Sequence, residues 1–489
     1  MKRTLVLVAL LTGACGGNSR PAVTRLSQEA TATDPKIEAC DLQLSDGKLP
    51  SSCGTLVAPE LRGDAESVTL RIPFQRTKAG AGTAILYIGD GPGSSAYQFM
   101  PPSALVQGRE LLIVGARGID GGRSLDCPEV GQALREPSDT WGDAVPRAFA
   151  NCMNRYKADG VRLLGYGILE RVADLEQALV TNGLTRVHLV ADGFGSITAL
   201  TFARLHPEQV DRIVLLAPTP ADQPVGSSKD SARVLNAYDA SAEAAVRDTN
   251  LPARWMMYAI DRDRVRMATA LQLAYRRGAL ASVGAWRDAA RGDFAGIGQI
   301  SWGADVVLGS SFVWGEVVPA LASLDPSGVD MVDGDPVLPS ATLVTALGGL
   351  GLVSLAVPEF PALPTAPVDK PVLVIHGELD PRYSPETTVA AMQRELAHPV
   401  FARIAGYGSP SELWAVAPGL LANTITTFLD GGAAPSDLAP PLSPEGMSLA
   451  TMAKLTVTAM AAFPVAGALL VLLLLRRTRR TMKRDAARQ

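Results

Sequence analysis

Val187-His188-Leu189-Val190-Ala191-Asp192-Gly193-Phe194-Gly195-Ser196 is a short, mostly apolar run, a turn of small residues, and the start of a helical pattern that continues to Leu205. The same unit recurs on either side. Ala84 to Ile88 is apolar throughout and ends in Gly89-Asp90-Gly91-Pro92-Gly93. Leu111 to Val114 ends at Gly115, Arg212 to Leu216 at Ala217-Pro218, and Pro371 to Ile375 at His376-Gly377. Leu169 to Val180 reads as a helix between two of these runs. Short strands that are apolar along their whole length suit a parallel sheet with both faces covered. Strands alternating with helices predict a doubly wound α/β fold, whose ligands bind beyond the carboxyl ends of the strands. Ser67 to Phe74 alternates instead, as a half-buried strand does. Residues 222–365 break the rhythm. They are Ala- and Arg-rich and helical at first, then rich in Gly and Pro loops. This predicts a largely helical cap inserted between a first core part (38–221) and a last one (366–432).

The two ends carry the longest apolar runs. Met1-Lys2-Arg3, an apolar stretch from Leu5 to Leu11 and Thr12-Gly13-Ala14-Cys15 describe an export signal over residues 1–14. Cys15 after small residues is similar to the lipobox of bacterial lipoproteins, so lipidation at Cys15 and plain cleavage both stay open. Residues 15–37 read as a tether and 433–454 as a linker, rich in Pro, Ser and Gly. Leu455 to Leu475 has no charged residue. As a helix such a run spans roughly 30 Å, the thickness of the hydrocarbon core. The tail 476–489 that follows is basic, which predicts a cytoplasmic tail after a transmembrane helix, with everything before it outside. The predicted place is therefore the bacterial cell envelope, with the membrane as one partner.

Composition narrows the function. The formal net charge is −4, with no basic surplus for nucleic acid. Cys40, Cys53, Cys127 and Cys152 form an even set in an exported body, which predicts two disulfides. Proximity favours Cys40–Cys53 and Cys127–Cys152 among the three pairings. No Cys-x-x-Cys or His-x-His spacing supports a metal site, and no cofactor is expected. There are only 4 histidines: His188, His206, His376 and His398.

Several motifs, in order, carry a resemblance. Cys53-Gly54-Thr55-Leu56-Val57-Ala58-Pro59-Glu60 opens it, and the glycine-rich loop 89–95 follows. Arg117-Gly118 with Arg123-Ser124-Leu125-Asp126-Cys127-Pro128 comes next, then the turn around Gly193 and Ala203-Arg204-Leu205-His206-Pro207. His376-Gly377-Glu378-Leu379-Asp380-Pro381 closes the set. Over residues 38–432 the chain resembles the exported α/β hydrolases of the tripeptidyl-aminopeptidase-like and proline-iminopeptidase-like group. The resemblance implies an α/β-hydrolase fold with an oxyanion loop at Asp90 and Gly91. It also implies a second oxyanion donor at Phe194, a nucleophile at position 193, a triad acid at Asp380 and a base at position 409.

The chain departs from that pattern where the chemistry is done. A nucleophile elbow needs small residues two before and two after its centre; Ala191 and Gly195 qualify, but the centre is Gly193. A register shifted to Ser196 would put Phe194 and Thr198 at the small positions. The base position holds Ser409, and none of the four histidines replaces it. Asp90 stands where the oxyanion loop has glycine, opposing the charge that develops in the reaction. Gly115 replaces a structural Asp. Of the triad only Asp380 remains. The reading is a catalytically inactive, membrane-anchored protein that binds a peptide, small ligand or protein partner. Its acidic pocket would be formed by Asp90, Asp192 and Asp380, suited to cationic ligands. An active hydrolase with another arrangement and an envelope scaffold are the competing readings.

Overall fold

The computed structural model describes residues 37–324, 337–342, 358–442 and 448–460, except 79, 81 and 459. The expected signal, the tether up to residue 36 and the lipidation site at Cys15 lie outside the described residues, as do residues 461–475 of the apolar run and the basic tail.

The strands in chain order are β1 (Glu38–Leu44), β2 (Gly47–Pro59), β3 (Thr69–Thr77), β4 (Gly82–Ile88), β5 (Arg109–Val114), β6 (Val187–Asp192) and β7 (Val210–Leu216). A short hairpin, β8 (Arg254–Trp255) and β9 (Tyr258–Ala259), follows, then β10 (Val368–Gly377), β11 (Leu396–Ile404) and β12 (Asp437–Leu438). Ten of these form one sheet in the order β1-β2-β3-β5-β4-β6-β7-β10-β11-β12. From β5 to β12 the neighbours are parallel; β1, β2 and β3 join antiparallel at one edge. Every residue of β6 is buried, and β4, β7 and β10 are buried along their second halves. Helices Ile168–Thr181 and Gly195–Leu205 cover one face. Pro418–Leu429 packs on the other. This is why the strands read as apolar runs without alternation.

The chain leaves β4 towards β5 on one side and returns to β6 on the other, so the strand order reverses there. Ile88 of β4 is level with Ala191 of β6, and Asp192 is level with Leu216 of β7. The loop containing Asp90 and the turn containing Gly193 therefore meet at one crevice, the switch point where doubly wound sheets bind ligands.

The cap is helical, as expected, through Ser228–Tyr238, Ala242–Asp248, Arg262–Gln272, Arg276–Ala290, Ala295–Ser310 and Trp314–Ala322. It is tied to the strand ends. Val313 donates to the Gly93 carbonyl at 3.0 Å, and Gly93 donates to Glu316 Oε2 at 2.6 Å. Glu316 is fully buried and also pairs with Arg171 beneath it. Ser409 donates to the Ala274 carbonyl at 2.8 Å.

Both favoured disulfides are present, Cys40–Cys53 and Cys127–Cys152, with Cα separations of 5.8 and 5.7 Å. The segment read as a linker, 433–454, packs on the body where it is described. It adds β12 to the sheet edge with Leu438 buried, and Tyr407 Oη donates to the Pro441 carbonyl at 2.8 Å. From residue 449 the backbone is helical, and Leu449, Ala450 and Ala453 are buried against the cap. Apolar residues scattered through a Pro- and Ser-rich stretch find pockets on the body, which composition alone does not reveal. The expected transmembrane helix is described only through Leu455–Thr458 and Met460. Among the described residues no single helix is long and apolar enough to cross a membrane.

Candidate functional site

The turn after β6 is tight. Gly193 has φ of +49°, in the left-handed region that glycine adopts without strain. Its N–H donates to the Leu216 carbonyl at 2.9 Å, which pins the turn to β7. Two residues on, a Cβ at Gly195 would lie 2.3 Å from the Gly89 carbonyl, so the helix can approach the end of β4 only as glycine. The elbow backbone is intact although its central side chain is missing.

The space of that side chain is filled from the neighbouring loop. A Cβ built on Gly193 would lie 2.1 Å from Asp90 Oδ1 and 2.4 Å from its Cγ. Asp90 Oδ1 accepts the N–H of Phe194 at 2.7 Å and that of Gly91 at 2.9 Å. These two N–H groups, one after the elbow residue and one on the glycine-rich loop, are the pair expected to hold a reaction oxyanion. Asp90 Oδ1 thus stands where a reaction oxyanion would be held. The two donors are used within the protein, so the carboxylate is held rather than repelled.

Asp90 keeps contact with solvent at the floor of the cleft. Crowding by the surrounding protein pushes its carboxyl above the ordinary range. The charge of Arg382 and the two N–H groups pull it back, and Asp380 pushes it up again. Asp192 is buried beside it. Burial first, then the charge of Asp90, raises its pKa to about 7, against the hydrogen bond that Ser411 Oγ donates to Asp192 Oδ2 at 2.5 Å. A carboxyl raised in the fold stabilises the protein while protonated. That contribution is complete below the unfolded value near 4 and is lost as pH rises through 7. Replacing Asp192→Asn should remove this loss. Urea midpoints measured from pH 5 to pH 8 should fall less steeply for the variant than for the parent, the difference reaching at most about 1.4 kcal/mol per pH unit for one proton. Equal slopes would show that Asp192 does not titrate there.

Asp380 is buried, and its hydrogen bonds come from Arg382 rather than from an imidazole. Its carboxylate is taken by Arg382: Oδ1 accepts the Arg382 backbone N–H at 2.9 Å and Nε at 3.1 Å, and Oδ2 accepts Nη2 at 2.9 Å. Burial opposes the guanidinium charge, and Asp380, Asp90 and Asp192 together outweigh it, holding the Arg382 pKa above its ordinary value. Asp90, Asp192 and Asp380 thus converge as the sequence predicts, around a cation that it did not single out. The only signal was the Asp380-Pro381-Arg382 spacing, which places a guanidinium within reach of the acid two residues back. Tyr275, at the start of cap helix Arg276–Ala290, is half exposed at the rim. The cleft walls, then the charge of Asp192, push its hydroxyl up to about 12.

The remaining expected positions are structural. Ser409 is buried, and its Oγ accepts the Ser411 N–H at 3.2 Å, capping a short helical turn. Ser196 is fully buried, its Oγ accepting the Thr219 N–H at 3.1 Å, so no displaced nucleophile stands in the cleft. His188 lies inside β6, and His206 packs on the Phe202 ring. His398 is exposed beside Asp369. His376 is buried at the end of β10; burial lowers its pKa, and Asp380 takes its hydrogen bonds from Arg382 instead. Gly115, read as a departure, is compensated in space. A Cβ there would lie 2.8 Å from Asp120 Cβ, and Asp120 accepts Ser95 Oγ at 2.6 Å and the Ala116 N–H at 2.9 Å. A cluster of Cys127, Glu129 and Cys152 has ligand-like spacing, but both cysteines are in the disulfide.

The sequence matches the family model described as alpha/beta hydrolase fold over residues 164–406. No curated protein matches it. Among solved structures, it is similar to a serine hydrolase from Cycloclasticus zankles at 13% identity and a TM-score of 0.36, covering 81% of this chain and 99% of that one. It is also similar to a meta-cleavage product hydrolase from Pseudomonas fluorescens at 14% identity and a TM-score of 0.38, covering 74% and 95%. Neither likeness bears on the chemistry of this chain.

Proposed function

We propose that this α/β-hydrolase-fold protein is a non-catalytic binding protein of the cell envelope, derived from the aminopeptidase-like group whose motifs it keeps. Its body would stand outside the cytoplasmic membrane, held by the apolar segment Leu455–Leu475. Its cleft would take a peptide or small ligand over a floor of Asp90, Asp192 and Asp380, with Arg382 neutralising part of that charge.

One observation carries the reading. The Asp90 carboxylate occupies both oxyanion donors and the volume of the missing nucleophile side chain at once. A group that must be vacant for acyl transfer is satisfied within the fold, and the triad acid is paired to an arginine. Loss of the serine alone would leave an empty, still functional hole; here the hole is closed as well.

The purified full chain in detergent should not be labelled by a fluorophosphonate at any serine and should not turn over p-nitrophenyl esters or aminoacyl-nitroanilides. Stoichiometric labelling of one serine would overturn the proposal and favour the active-hydrolase reading. Extraction of membranes with alkaline carbonate tests the anchoring separately: the chain should stay with the bilayer, and its truncation before residue 455 should release it.

A further inference from the structure

We propose that an open groove at the opposite end of the sheet from Asp90 is a second binding site, for a small organic monoanion with an aryl or short alkyl body. It stands apart from the reading of the cleft and does not depend on it.

The groove has a volume of about 610 Å³ and lies beside the starts of β7, β10 and β11. Small-molecule sites run from about 300 to 1,000 Å³. The sheet register builds its floor. Ile213 pairs with Val372, and Pro371 with His398, so Arg212, Pro371 and His398 come level across three strands. Alternation along each strand sets the face. Arg212 is two residues before Val214, and Val400 two before Ala402; both of those are buried in the core beneath helix Pro418–Leu429. Arg212 and Val400 therefore share that face. Phe428, in the last turn of the helix, and residues 432–434 after it form the facing wall.

Two cations line this groove without a counter-charge. The Arg212 guanidinium lies over the Phe428 ring, 5.4 Å from its centroid. Among the described residues it has no carboxylate partner, because the acids beside it are taken: Asp211 by Arg186 at 3.1 Å and Asp430 by Arg109. Nor does it cap the helix, whose last carbonyls accept the N–H groups of Asp430, Gly431 and Gly432. Lys370 likewise has no ion pair among the described residues. The only carboxylate among the described lining residues is Asp369, and it faces His398 at 3.6 Å. With His398 neutral, the cations Arg212 and Lys370 against Asp369 leave a surplus of one positive charge. That matches a carboxylate better than a phosphate monoester, which carries about −1.5 to −2 at neutral pH.

Packing on the ring restrains the Arg212 side chain, so its N–H fork is offered to a carboxylate at little further cost in entropy. The remaining walls suit the body of such a ligand. Val400 is 41% exposed in the groove, and Pro371, Ala433 and Ala434 extend the apolar surface beside it. A ring or short chain laid on Val400 removes that surface from water while its carboxylate meets the cations. Charge alone would attract any anion, and apolar surface alone any hydrophobe. Together they select a molecule that carries one of each.

The test titrates phenylpropionate into the purified full chain in detergent, read by saturation-transfer NMR. Phenylpropanol and phenylpropylamine serve as neutral and cationic counterparts of the same shape. Phenylpropionate should saturate with a Kd on the order of 1 mM or tighter. The alcohol and the amine should bind at least about tenfold more weakly, for want of a charged hydrogen bond. Arg212→Gln and Lys370→Gln should each weaken the carboxylate by about tenfold and leave the alcohol unchanged. Val400→Glu puts a negative charge in the groove and should turn the preference towards the amine. Lys370 and Val400 are partly or largely exposed, so their variants carry the test even where Arg212→Gln lowers stability. No saturation up to about 10 mM, or equal affinity for acid and alcohol, would overturn the proposal. So would a carboxylate affinity that none of the three variants alters, which would put the anion elsewhere on the protein.

Discussion

Replacing Gly193→Ser and Ser409→His together should leave the protein unreactive to a fluorophosphonate, and reactivity should appear only when Asp90→Gly is added. The new serine would place its Cβ 2.1 Å from Asp90 Oδ1, and that oxygen would still hold the Phe194 and Gly91 N–H groups. Neither nucleophile nor oxyanion would have room. Each lost oxyanion donor costs about 10²–10³ in rate, so the triple variant should be labelled at least about 10²-fold faster than the double. The same geometry predicts a coupling in stability. Gly193→Ser alone should destabilise by about 2–4 kcal/mol, from left-handed backbone and overpacking together. In an Asp90→Gly background the overpacking share should vanish, a non-additivity above about 1 kcal/mol in a urea-melt cycle. Additive energies, or a double variant labelled as fast as the triple, would mean that Asp90 does not plug the elbow.

Arg382→Met should give the second large effect, and one that depends on pH. Arg382 is the guanidinium on which Asp380, Asp90 and Asp192 act. Removing one partner of a buried ion pair costs about 3–5 kcal/mol, chiefly because the remaining charge stays buried alone. That loss is expected at pH 8. Asp90 and Asp192 already have raised pKa values, and without the cation they rise further. Groups raised in the fold keep their stabilising contribution below their unfolded values and lose it as pH climbs. The variant should therefore approach the parent at pH 5 and fall away by pH 8. Adding Asp380→Asn should recover part of the loss at pH 8, because the uncompensated charge goes with it. Urea midpoints at the two pH values decide; an equal loss at both would show that Arg382 acts through packing rather than charge.

The fold was legible because the strand runs 84–88, 111–114, 187–190 and 212–216 are almost wholly apolar, broken only by His188 and Arg212. Such runs need cover on both faces, and the helical segments between them supply it. The lost nucleophile was legible for a simpler reason: glycine has no side chain in any fold, so Gly193 rules out a nucleophile at that turn as soon as it is aligned. The disulfide pairing was nearly legible, since short sequence separations favoured the two bonds that form. Arg382 was hidden in a motif read only for Asp380. The docked helix from residue 449 was hidden in a stretch that composition described as a linker.

The sequence by itself thus determined the architecture and the absence of a serine at the elbow, because both follow from which side chains exist and in what order. Only the tertiary structure decided what replaced the lost chemistry. Asp90 and Phe194 are 104 residues apart, and their meeting depends on β4 lying beside β6 in one register. Residue type could say that a carboxylate in an oxyanion loop is unfavourable for catalysis. The distances show that the carboxylate takes both donors and fills the vacant volume, because the two N–H groups need an acceptor and the missing side chain left room for one.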